Sequence, residues 1–172
     1  MDVFVEQIVK RKMLTTDKLL IALSALVAAV LSFFIFIIST NLGGWAPIGF
    51  IIGAGVIYFA WRIARSFSLE YEYILTNGEI DIDKITAQSS RRRCFSVRAS
   101  KFERFEKYDP QKVAGISYKK RVIAGNADET AYTVVFHHEV VGTVLFIFNP
   151  DERFLKALRP YLPRGLAGNL DV

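Results

Sequence analysis

The residues of this chain best able to do chemistry are few. His137 and His138 are its only histidines. They are adjacent in a β-branched and aromatic run, where successive side chains point to opposite faces. Two such rings cannot chelate one metal, and neither has a ligand-spaced partner. One reads as a half-buried core residue and the other as solvent-facing. Cys94 is the single cysteine, which excludes an internal disulfide and a cysteine-based zinc site. Its neighbour Arg93 could lower the thiol pKa. With no histidine nearby in sequence, however, Cys94 reads as an inert strand cysteine. No glycine motif that cradles phosphate is present. The sequence therefore offers no catalytic residue, no metal site and no cofactor.

Charge carries more information. Glu70 and Glu72 alternate with Leu69, Tyr71, Tyr73 and Leu75, and Glu79, Asp81 and Asp83 alternate with Ile80 and Ile82. Between the two runs stands Asn77-Gly78, a strong two-residue hairpin signal. Such a turn sets Leu75 opposite Ile80 and Tyr73 opposite Ile82 on the buried face. It also sets Glu72 opposite Asp83 on an acidic outer face. Like charges directly opposite destabilise a sheet unless something neutralises them. A bound cation is one answer. Arg91 and Arg93, sharing a face of the next predicted strand, are a simpler one, because no ligand loop accompanies the carboxylates. Two basic clusters, Arg91-Arg92-Arg93 and Lys119-Lys120-Arg121, are the candidate lipid- or partner-binding residues. Near a membrane each basic residue attracts anionic lipid by about 1 kcal/mol. Alternation turns Arg92 away from Arg91 and Arg93, which makes the first patch smaller than it reads.

These residues must be positioned by the rest of the chain. At 172 residues, 52% hydrophobic and a mean hydropathy of +0.27, it is too apolar for a simple soluble enzyme. The excess is concentrated: from Leu19 to Trp61 there is no Asp, Glu, Lys or Arg. That stretch is too long for one crossing of about 20 residues and suits two. Leu19 to Ile38 is the first predicted span and Ala46 to Trp61 the second, joined by a turn-forming segment with an interfacial Trp45. A signal peptide has a shorter apolar region, so an uncleaved anchor is expected. Lys10, Arg11, Lys12 and Lys18 precede the spans, Arg62 and Arg65 follow them, and the turn has no basic residue. Both termini are therefore expected in the cytoplasm. Ser24, Ala28 and Ser32 make a small-residue stripe, and Gly49 and Gly53 supply small residues on the second span. These faces can pack within one chain or join two chains as a homo-oligomer. Residues 2–12, with Phe4 and Ile8 at i, i+4, suit a short interfacial helix.

After Arg65 the pattern has period two. Beyond the hairpin, strands are expected over 88–97, 102–108, 115–123, 131–141 and 143–148. Asn149 is the expected N-cap of a terminal helix, with Pro150 its first residue, Phe154, Leu155 and Leu158 its apolar face, and Pro160 its stop. The predicted divisions are a basic N-terminal segment (1–18), a helical hairpin (19–62), a domain (66–163) and a flexible tail (164–172).

About seven short strands followed by one amphipathic helix resemble the pleckstrin-homology-like barrel, in which two antiparallel sheets are closed by that helix. More narrowly, residues 72–85, Arg91 to Val97, and Leu145 to Pro163 with Asn149-Pro150-Asp151-Glu152 resemble a family of small bacterial membrane proteins known as a domain of unknown function. The resemblance covers most of the chain, spans included, and implies fold and topology rather than an activity. Phosphoinositide-binding members of the fold place basic residues at the first hairpin loop. Here that loop, Thr76-Asn77-Gly78-Glu79, is tight and acid-flanked, which disfavours specific phosphoinositide recognition.

The expected fold class is thus α+β: a transmembrane helical hairpin, then a barrel or sandwich with a C-terminal capping helix. The expected role is a non-catalytic binding or assembly module at the bacterial inner leaflet, docking a membrane or cytosolic protein. Non-specific contact with anionic lipid through the basic clusters is one alternative. An accessory subunit held through its helices is another. Nucleic acid is not an expected partner: residues 62–172 carry 18 basic and 14 acidic groups, interspersed rather than gathered on one stripe.

Overall fold

The structure, a computed structural model, describes residues 2–41 and 43–169. Leu42 and residues 170–172 of the expected tail lie outside the described residues, as does the side chain of Trp45. The chain forms two compact units. One runs Met13–Ser68. The other joins the N-terminal segment through Lys12 to everything from Leu69 onward.

The first unit is a pair of antiparallel helices, α1 (Thr15–Asn41) and α2 (Ala46–Ser66). They extend beyond the predicted spans and rise about 40 and 32 Å, enough to cross a hydrocarbon core of about 30 Å. Small residues set their approach. Ala28, Gly49 and Gly53 are buried, and the Ser32 hydroxyl donates to the Gly53 carbonyl at 3.1 Å. A Cβ on Gly49 would collide with the Ser39 side chain. Ser24 instead donates to Ile21 O on its own helix, at 2.8 Å. Large apolar side chains elsewhere on both helices are exposed.

The second unit holds two four-stranded sheets. Sheet A has the order β1-β2-β3-β4, from β1 (Phe4–Lys10), β2 (Leu69–Thr76), β3 (Glu79–Thr86) and β4 (Ser90–Arg98). Sheet B has the order β5-β7-β8-β6, from β5 (Phe102–Lys107), β6 (Lys120–Ala124), β7 (Tyr132–His138) and β8 (Gly142–Phe148). All pairs are antiparallel except β6 with β8. The β2–β3 hairpin has the anticipated register, Leu75 opposite Ile80 and Tyr73 opposite Ile82. Asn77 and Gly78 both have positive φ, as a two-residue turn of this hand requires. Tyr73, Leu75, Ile80, Ile82, Phe105, Phe146 and Phe148 fill the space between the sheets, and α4 (Glu152–Leu158) closes one end with Phe154, Leu155 and Leu158.

Four expectations need correction. Residues 4–10 form a strand, not an interfacial helix. Val5 and Val9 pack on the core while Phe4 and Ile8 stay exposed, a period of two that only pairing with β2 makes favourable. Residues 110–114 form a short helix, α3, capped by Asp109, so the strand expected from Gly115 begins only at Lys120. The cap of α4 is Asp151, whose side chain accepts from Phe154 N at 2.6 Å, rather than Asn149. Finally, the start of the expected tail is not loose. Leu166 and Ala167 pack on the core, and their amides reach Pro163 O.

Candidate functional site

Asn149 does different work from that expected. Its side-chain oxygen accepts from Asn126 N at 2.7 Å, and its amide donates to Asp128 at 3.0 Å and Thr130 at 2.8 Å. Its carbonyl accepts from Gln7 on β1 at 2.9 Å, and its N–H bonds the Tyr73 hydroxyl. Lys12 completes the knot through Asn126 and through an ion pair with Asp128 at 2.8 Å. The Lys12 and Thr130 hydrogen bonds hold the Asp128 carboxyl down at about 2. Burial pushes the Tyr73 hydroxyl well above its ordinary value, and it donates to Ala124 O. The knot ties the N-terminal strand, the β6–β7 loop and the end of β8 together. Every polar group in it is engaged, so it serves structure.

The acidic face follows the same logic. Glu72 and Asp83 stand directly opposite and are each only 6% exposed. Arg91 pairs with both, its Nε 2.8 Å from Asp83. Arg93 reaches Asp81 at 3.3 Å and Asp83 at 3.4 Å. A register shift between Ile82 and Asp83 makes this possible: Ile82 faces Phe95, Asp83 faces Arg93, and Cys94 is the extra residue. Strict alternation would send Arg91, Arg93, Phe95 and Val97 to one face. The bulge at Cys94 lets Phe95 and Val97 enter the core while both arginines cover the carboxylates.

The bulge also decides where Arg92 goes. It stands opposite Lys84, which stands opposite Tyr71, all on the face of sheet A that looks toward sheet B. Lys120, near the start of β6, lies within electrostatic reach of Cys94, as do Lys84 and Arg92. Burial raises the Cys94 thiol despite these cations, opposite to the lowering considered from Arg93 alone. Among the described residues no ion pair engages the side chains of Lys84, Arg92 or Lys120. Of the six candidate residues, then, Arg92 and Lys120 both lie within electrostatic reach of Cys94, while Arg91 and Arg93 are occupied. Lys119 lies along Gly142, and Arg121 turns to a cleft beside Tyr108 and Tyr118. Sequence reasoning missed Lys84. Its position opposite Arg92 could be read only once the bulge is known.

This rim has a definite place in the unit. The chain leaves sheet A after Lys10 and re-enters at Leu69, and Arg11 N donates to Leu69 O at 2.9 Å across that gap. Tyr71, Lys84 and Arg92 lie two residues in from Leu69. Strand β6 runs across this end of sheet A, from Lys120 near Cys94 to Ala124 at Tyr73 and Asn126 at Lys10.

The histidines do not converge on a ligand. His138 accepts from Val140 N at 3.2 Å within the β7–β8 turn, and His137 is exposed. Both border an open cleft of about 330 Å³ with Glu79, Arg98, Lys101 and Glu139. Its acids are already partnered, Glu79 with Ser96 at 2.8 Å and Glu139 with Lys101 at 3.4 Å.

Comparison with curated proteins and with solved structures finds no match for this chain. Two apolar helices, two facing sheets and a closing C-terminal helix agree with a family match: the model described as Bacterial PH-like domain (DUF6106) spans residues 1–167, from ahead of β1 to the packed segment after α4, and the chain belongs to that family.

Proposed function

We propose that this protein is a non-catalytic, membrane-anchored binding module of the bacterial cytoplasmic membrane, whose folded unit docks a protein partner at the inner leaflet. The observation that carries the reading is the pairing of β1 with β2. The first strand precedes both apolar helices and the second follows them. Their pairing supports an even number of crossings, with both ends of the helical pair on one side. The basic residues Lys10, Arg11, Lys12 and Lys18 before, and Arg62 and Arg65 after, favour the cytoplasm for that side. Arg65 lies over the Trp61 ring at 4.8 Å, a pairing suited to a headgroup zone.

Docking is supported by the sheet edges. Strands β1 and β4 of sheet A and β5 and β6 of sheet B each pair on one side only, which suits β-augmentation by an extended segment. Tethering raises the effective concentration of any partner in the same membrane, so a modest surface suffices. The small-residue helix faces are engaged within one chain, which argues against partner binding or dimerisation through them.

Mass spectrometry of what co-purifies with the tagged full-length protein from native membranes in mild detergent tests this. A stoichiometric second protein that is retained when Gly49 and Gly53 are replaced by Ala supports docking through the folded unit. Recovery of the chain alone overturns it. A second reading, contact with anionic lipid, is favoured by the unneutralised cations around Cys94.

A further inference from the structure

Two like-charge pairs stand face to face in sheet A, and the chain treats them differently. Glu72 and Asp83 are neutralised by Arg91 and Arg93. Lys84 and Arg92, directly opposite on the other face, have no carboxylate partner among the described residues, and Lys120 on β6 adds a third cation within electrostatic reach of Cys94. Asp83, a carboxylate within electrostatic reach of Cys94, is already engaged by both arginines. A sheet that spends two arginines on its acidic pair and nothing on its basic one leaves room for an external anion.

We propose that Lys84, Arg92 and Lys120 form a rim that binds the phosphate of anionic phospholipid headgroups. The proposal rests on the membrane-anchored reading above and names a ligand for that unit. Three cations with flexible stems suit a phosphodiester oxygen cluster better than a carboxylate, which a single arginine would fork. Position selects lipid over a soluble phosphate. The rim lies at the end of the sheets where Arg11 bonds Leu69, and only short segments separate that end from the start of α1 at Thr15 and the end of α2 at Ser66. The tight hairpin loop Asn77-Gly78 is at the opposite end of the same strands and takes no part.

Full-length protein in nanodiscs provides the test, with Cys94 as reporter, because it is the chain's single cysteine and lies within electrostatic reach of all three cations. In the wild type, alkylation by uncharged N-ethylmaleimide slows as phosphatidylglycerol replaces phosphatidylcholine. In Arg92→Gln the phosphatidylglycerol fraction needed for half-protection rises about fivefold. The thermal midpoint of Arg92→Gln stays level or rises, since a like-charge pair is relieved, and this separates lost binding from lost fold. No slowing in the wild type, or slowing that persists in Lys84→Gln/Arg92→Gln/Lys120→Gln, overturns the proposal. Equal protection by inorganic phosphate in phosphatidylcholine discs would assign the rim to a soluble anion and overturn the lipid assignment. The discs contain no other protein, so failure here and failure of partner docking are distinguishable.

Discussion

Arg91 sits between Glu72 and Asp83, two carboxylates on adjacent strands that are almost fully covered, and joins both. Removing the cation leaves two buried like charges facing each other. Arg91→Ala is expected to lower stability by about 2 kcal/mol or more. Adding Glu72→Gln to that variant should restore part of the loss. Thermal unfolding of the four-member cycle in detergent checks this; additive effects would mean that the pair is not coupled.

Arg93 offers a companion test by charge reversal. Arg93→Glu adds a further acid to the face and should unfold the domain at a lower temperature. Asp81→Arg, 3.3 Å away in the wild type, should rescue it. Rescue measured by the same melts marks the arginine as structural, and its absence would free Arg93 for a ligand.

Asn149 holds three separate backbone and side-chain partners around the end of β8. Asn149→Ala should cost about 3 kcal/mol, against about 1 kcal/mol for Asp151→Ala, which removes one cap bond. Chemical denaturation of the two variants under one condition ranks them, and the reverse order would restore Asn149 to the role of simple cap.

Asp128 sets an acid limit. Its carboxyl titrates at about 2 in the folded chain against an ordinary 3.8, because Lys12 and Thr130 bond the charged form. Its contribution to stability is therefore complete above about pH 4 and is lost as pH falls toward about 2. Lys12→Gln should raise the Asp128 midpoint, and Asp128→Asn should flatten stability against pH within that window. A titration followed by carboxyl NMR reads both.

Gly49 and Ser39 test the helix pair. Gly49→Leu drives a side chain into Ser39 and should cost about 2 kcal/mol by overpacking while leaving the mass of the detergent-solubilised particle unchanged. A change from two chains to one would instead show that the small faces join two molecules.

What could be read from the sequence followed from the range of the interactions involved. The β2–β3 register was legible because turn chemistry, alternation and charge agree within fourteen residues. The strand at Phe4–Lys10 was not, because Val5 and Val9 gain their partners only from Tyr71 and Leu75, beyond two apolar helices. Local spacing of Phe4 and Ile8 fits a helix equally well. Neutralisation of the acidic face by Arg91 and Arg93 is legible from the strand order, yet the bulge at Cys94 that permits it leaves no local signature. Without it, the opposition of Lys84 and Arg92 stayed hidden. At Asn149 and Asp151 two cap-competent residues stand two apart, and the choice was made by Asn126, Asp128 and Thr130, distant in sequence.

The placement of β1 also has a consequence in time. It is synthesised before both apolar helices, yet it cannot find its place until β2 has emerged after them. Closing that long gap is a slow, non-local step. A nascent chain whose second helix failed to insert would hold β1 and β2 in different compartments. Gln7 could not then reach Asn149, nor Lys12 reach Asp128, and the edge of β2 would stand open to proteases. On the two-pass reading proposed above, completion of the first sheet is a built-in check that insertion has finished.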